Sequence, residues 1–119
     1  MRYLMNQEEF EQLLGRQPVP EGTVVPYFSV IYFTASWCGA CRRLDIPALE
    51  AALPEVNWLK CDVDQNNYTP GYCGVRSIPT FLIVANKQVV DTYTSSDNAK
   101  VEAWIRQHMA QINGPPTKE

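Results

Sequence analysis

Phe28-Ser29-Val30-Ile31-Tyr32-Phe33 is the segment that most narrows what this chain can fold into. It is aromatic and β-branched with almost no polar alternation, the composition of a strand covered on both faces. Such a strand belongs in the middle of a parallel sheet with helices above and below it. A second constraint comes from the far end of the chain. Val101, Trp104, Ile105, His108, Met109 and Ile112 recur at the spacing of one helix face, so a helix beginning near Asp97 should lay this stripe on the sheet.

The elements between follow from local signals. Asn6 with Glu9 forms a capping box, and Met5 and Phe10 fall where a hydrophobic staple would sit, which predicts a helix from Gln7 to Leu14 ended by Gly15. Residues 16–26 hold three prolines and Gly22 and read as an irregular connection. Arg42 to Leu53, rich in Leu and Ala, reads as a helix kinked at Pro47. Val56 to Val63 is a second strand, and Asp64 to Gly71 a loop with room for a short helix. Phe81–Val84 and Val89–Thr94 form a hairpin turned at Asn86-Lys87. The order is α/β, with parallel strands first and an antiparallel pair at the end. A chain of 119 residues with 45% hydrophobic content can bury one core. The expectation is a single domain over 1–112 and a C-terminal tail over 113–119.

Ten basic against thirteen acidic side chains give a net charge of -3, with no cluster of Lys and Arg able to neutralise several phosphates. Nucleic acid and anionic membrane are therefore poor partners. No apolar stretch approaches the roughly 20 residues that span a bilayer. The first nine residues turn acidic before a signal-type apolar run develops, so a cytoplasmic location is expected. In such a reducing setting a close cysteine pair reads as redox or metal chemistry rather than a structural staple.

That pair is Cys38 and Cys41, two residues apart where the central strand meets the next helix. If Cys38 opens that helix, its sulfur meets unpaired N–H groups and the positive end of the helix dipole, both of which favour thiolate. Cys41, one turn on and shielded, can then attack the first sulfur once it is tied to a substrate. A lone C-x-x-C also makes half of many zinc sites, but Cys61 and Cys73 are eleven residues apart and supply no second knuckle, so no metal is expected.

The wider context is more specific. Phe33-Thr34-Ala35-Ser36-Trp37-Cys38-Gly39-Ala40-Cys41, with Lys60, Asp64-Gln65-Asn66 and Val75-Arg76-Ser77-Ile78-Pro79-Thr80, resembles the thioredoxin family over roughly residues 5–112. The resemblance implies a thioredoxin fold, a central mixed β-sheet flanked by helices. It implies a protein dithiol/disulfide oxidoreductase in which Cys38 attacks and Cys41 resolves. Trp37, Gly39 and Ala40 would form the substrate-facing surface, with Pro79 the cis proline opposite the sulfurs and Ile78 offering its backbone to an extended substrate. No cofactor is implied beyond the Cys38–Cys41 disulfide. The implied partners are disulfide-containing proteins and a reductase, usually a flavin enzyme drawing on NADPH, with the chain itself a monomer. Alternatives are a non-catalytic binding scaffold on the same fold, or an oxidase or isomerase.

Four positions depart from the family pattern. Tyr32 stands six residues before Cys38, where a buried aspartate usually serves the resolving thiol. A phenol titrating near 10 is a poor base at neutral pH, so slower resolution, or help from water or from Asp64, is expected. Ala40 replaces the usual proline and should make the couple less reducing. Pro47 falls one residue late, and Ser95 replaces a glycine beside the substrate groove, which should narrow it. Elsewhere Cys61, Trp58 and Trp104 read as core, Trp37 as exposed, His108 as an ordinary helix residue, and Cys73 as a candidate regulatory thiol. Asp62, Asp64 and Asn66 lack the glycine and terminal glutamate of a calcium loop.

Overall fold

The computed structural model describes residues 1–113, so the expected tail, apart from the helical Asn113, lies outside the described residues. The elements run β1 (Arg2–Tyr3), α1 (Gln7–Leu13), β2 (Phe28–Thr34), a four-residue 3-10 turn (Ala40–Arg43), α2 (Ile46–Ala52), β3 (Asn57–Asp62), α3 (Tyr68–Tyr72), β4 (Thr80–Ala85), β5 (Gln88–Thr94) and α4 (Asn98–Asn113). The five strands form one sheet in the order β1-β3-β2-β4-β5.

β2 is the central strand, as its unbroken apolar run requires. It pairs in parallel with β3, from Ser29 opposite Asn57 to Thr34 opposite Asp62. On its other side it pairs antiparallel with β4, from Phe28 opposite Ala85 to Phe33 opposite Thr80. The reversal of direction therefore sits at the centre of the sheet, and β5 extends it by a hairpin. That hairpin turns where expected, on Asn86 and Lys87, both with positive φ (52° and 65°), the mirror-image turn that matches strand twist. The two-residue β1 beside β3 escaped sequence reading, because two residues carry no period.

Alternate residues of β2 serve opposite cores. Val30 and Tyr32 join Leu49, Leu53, Val101, Trp104 and Ile105 under α2 and α4, and this core contains Cys38 and Cys41. Ile31 and Phe33 join Leu4, Phe10, Leu13 and Cys61 under α1. Trp58 and Trp104 are both buried. The stripe of α4 is buried from Val101 to Ile105 and half-buried at His108, Met109 and Ile112. Asp97 caps this helix by accepting the Lys100 N–H at 3.2 Å. At α1 the Asn6 side chain accepts the Glu9 N–H at 3.0 Å, while the Glu9 carboxylate returns to Met5 N–H rather than to Asn6. Met5 itself is half exposed, and the buried neighbour is Leu4.

One predicted element is corrected. There is no continuous helix over 42–53 kinked at Pro47. The chain makes its 3-10 turn, becomes extended at Leu44 (φ -83°, ψ 141°), and starts again as α2. The break is held from outside: Asp45 N–H donates to the Asn98 side chain, and Asn98 Nδ2 donates to Asp45 C=O, each at 2.9 Å. Pro47 then lies in the first turn of α2 behind the Asp45 N-cap, where its missing N–H costs nothing.

Candidate active site

Three segments meet at the cysteines. β2 delivers the first through the loop Ala35–Gly39, where Cys38 N–H donates to Ala35 C=O at 3.1 Å. The 3-10 turn delivers the second. Cys38 and Cys41 are joined as a disulfide with Cα atoms 5.3 Å apart. The third segment leads into β4: the Ile78–Pro79 peptide is cis, and Ile78 C=O lies 3.8 Å from Cys38 Sγ. The residues read from sequence as reactive pair and opposing proline are thus brought together from positions some forty residues apart.

The segment before Pro79 is braced by hydroxyls. Thr80 Oγ1 donates to Ser77 C=O at 2.7 Å, which leaves Thr94 as the donor in the 2.7 Å hydroxyl pair between Thr94 and Thr80. Trp37 is 63% exposed and its indole N–H donates to Asp64 Oδ2 at 2.8 Å, so the flat flank of the site is held in place. Gly39 has an ordinary helical backbone, and a Cβ built there would meet nothing. Its value is the surface it leaves open beside the sulfur, not a special conformation.

Several expectations about the chemistry change. Cys38 does not open an α-helix, since only the single 3-10 turn follows it. A macrodipole is therefore replaced by one aimed N–H, that of Cys41, which lies 3.1 Å from Cys38 Sγ. The expected contrast between an open and a shielded sulfur is also absent, because Cys38 and Cys41 retain 4% and 7% exposure in the disulfide form. Access comes from the collar around them. Asp64 is exposed and accepts the Trp37 indole N–H through Oδ2, which ties its carboxylate to the flank of the site. The Ser95 hydroxyl turns back to accept Asp97 N–H at 3.1 Å, and Ser95 is not among the walls of the cavity at Trp37 and Ile78.

Tyr32 is buried and stacked on Phe81 with ring centroids 5.0 Å apart. Burial pushes its phenol above the ordinary value, with a Thr34 hydrogen bond opposing, so it stays neutral and accepts no proton at physiological pH. Among the described residues the buried polar side chains are Ser29, Thr34, Asn66, Thr69 and Thr80, with no carboxylate in the core. The free thiols differ from the pair. Cys61 is fully buried and pushed up to about 12 by desolvation, then by Cys73 and Asp62. Cys73 is half-buried and pushed up to about 11, also by burial. His108 is engaged on the α4 side with Asp91 at 2.9 Å, beside Trp104, which donates to the same carboxylate oxygen.

Sequence reading missed the groove beside the pair, a cavity of about 500 Å3 walled by Trp37, Val63, Pro70, Val75, Arg76 and Ile78 with three smaller residues. Its walls come from segments far apart in the chain, and the only signal was the apolar Val75 beside the Ile78-Pro79 element.

Comparison with known proteins agrees with this geometry. The Thioredoxin family model matches residues 4–107. A thioredoxin of Haemophilus influenzae is 34% identical over 110 residues, covering 88% of this chain and 94% of that one. A thioredoxin of Malassezia sympodialis is 31% identical over 115 residues, covering 92% of this chain and all of that one. The X-ray structure of Fasciola hepatica thioredoxin superposes with a TM-score of 0.76 at 31% identity, covering 91% and 99% of the two chains.

Proposed function

Because this chain belongs to the thioredoxin family and is a dithiol/disulfide oxidoreductase, we propose that it reduces protein disulfides, with Cys38 attacking and Cys41 resolving. The observation that carries this reading is the position of Cys38 Sγ, 3.8 Å from Ile78 C=O beside a cis proline and within reach of the Cys41 N–H. In the reduced protein, the Cys38 thiolate attacks one sulfur of the substrate. The substrate S–S bond breaks, its second sulfur leaves as thiolate, and a Cys38–substrate disulfide forms. Cys41 then attacks Cys38 Sγ, releasing the remaining substrate sulfur, which takes up a proton. Two electrons have passed to the substrate and the Cys38–Cys41 disulfide is restored.

The Cys41 N–H stabilises negative charge on Cys38 in the first step. With Tyr32 neutral and no carboxylate in the described core, the proton of Cys41 passes to solvent or to the departing substrate thiolate. Trp37, Gly39, Ala40 and Ile78 form the surface on which substrate lies, and Pro79 presents no N–H to the sulfurs. The partners on this reading are disulfide-bearing proteins and a reductase that returns two electrons to the pair. No bound cofactor takes part. Each chain carries a whole site and acts as a monomer, and the free Cys61 and Cys73 fit a reducing, cytoplasmic setting.

Reduction of insulin disulfides tests the reading. The wild-type chain should accelerate precipitation of the insulin B chain, Cys38→Ser should not, and Cys41→Ser should accumulate a mixed disulfide on Cys38. Silence of the wild-type chain, or trapping of substrate on Cys73 instead, would overturn it.

A further inference from the structure

We infer that this site prefers disulfides whose flanking sequence carries an apolar side chain next to a carboxylate, and that Arg76 is the residue that reads the carboxylate. The inference rests on the proposed function and concerns the substrate class of the same site.

Two cavities share the segment Val75-Arg76-Ser77 just before Ile78-Pro79. The larger is the apolar groove of about 500 Å3, in which Arg76 is the sole charged residue of the wall. The smaller, about 170 Å3, lies against β5 and is walled by Arg76, Ser77, Thr80, Thr92 and Thr94 together with Cys73. It has room for one small polar group. Arg76 is exposed and has no ion-pair or hydrogen-bond partner among the described residues, so its guanidinium is free to bind.

No carboxylate among the described residues lies within ion-pair distance of it. Asp64 holds the Trp37 indole. Asp91, next to Thr92 in β5, accepts from Trp104 and lies 2.9 Å from His108 on the α4 side. Arg42 and Arg43, on the turn that carries Cys41, are both exposed and add positive charge near the disulfide. Arg42, Arg43 and Arg76 thus put three cations on the segments that carry Cys41 and Pro79, against the one carboxylate of Asp64 held at Trp37. An extended substrate pairing with Ile78 would send successive side chains to opposite sides. One side meets the apolar wall of Val63, Pro70 and Val75. The other meets a guanidinium flanked by hydroxyls, which suits a carboxylate as charge-assisted hydrogen-bond acceptor.

The test uses disulfide-linked peptides identical except for Glu, Gln or Lys at one and two residues to either side of the attacked cysteine, with kcat/KM measured for each. In the wild-type chain the best-placed Glu peptide should exceed its Lys counterpart about fivefold at low salt, the size of a good exposed ion pair. The ratio should fall toward one as ionic strength approaches about 1 M. Arg76→Glu should invert the ratio and Arg76→Lys should retain most of it; because the readout is a ratio, a loss of folded protein cancels. A wild-type ratio near one at every position, or a Glu preference that survives Arg76→Glu, overturns the inference while leaving the reductase reading intact. Equal effects of Arg42→Glu and Arg76→Glu would place the preference in the general field and also overturn it. Failure of the wild-type chain to reduce any peptide sinks both.

Discussion

Replacing Tyr32 with aspartate isolates what its neutral phenol means for the reaction. The ring is 4% exposed and stacks on Phe81 at 5.0 Å in the core that contains both cysteines. Removing a buried aromatic costs about 3–5 kcal/mol, and the lost ring pair adds about 1 kcal/mol. Against a domain stability of about 5–15 kcal/mol the variant should remain folded but weakened, with its urea midpoint clearly lowered. The new carboxyl, largely cut off from water, should titrate above its ordinary value of about 4, toward neutrality. Ionised, it could take the Cys41 proton, and a positioned general base contributes about a hundredfold at the low end of its range. The assay is the decay of a Cys38–thionitrobenzoate adduct, followed across pH by release of the coloured thiolate. The expected result is faster resolution and an added inflection in the profile that the wild-type chain lacks. If decay rate and profile matched the wild type in a folded variant, the phenol would not be what leaves Cys41 without a base.

Asp64→Ala should free the Trp37 indole from its 2.8 Å hydrogen bond and raise KM for protein disulfides about threefold, by loss of a contact worth under about 1 kcal/mol; an unchanged KM would show the indole needs no support. Lys87→Gly should stabilise the protein by about 1 kcal/mol in urea unfolding, because a lysine at φ 65° carries a left-handed strain that glycine does not. Stability should also fall as pH rises through the ordinary thiol range: Cys61 and Cys73 stay protonated in the fold to about 12 and about 11, whereas the unfolded chain releases their protons earlier. By pH about 10 the loss is on the order of 1 kcal/mol for the fully buried Cys61 and smaller for the half-buried Cys73. Cys61→Ala should flatten this alkaline slope, and an equally steep slope in the variant would place its cause in other groups.

Residue type and period alone determined much here. The apolar run of β2 required a central strand, the stripe of α4 required a helix on the sheet, and Asn86-Lys87 marked the hairpin. The pair Cys38 and Cys41 and the element Ile78-Pro79 were legible because each is a short, distinctive signature. Interactions between distant residues could not be read along the chain. Asn98 breaks the helix after Cys41 by capturing both backbone groups of Asp45. Asp64 is drawn off to the Trp37 indole, and the groove takes its walls from loops that meet only in three dimensions. Local propensity is a property of a window of sequence, whereas hydrogen-bond competition, burial and cavity shape depend on which windows the fold brings into contact.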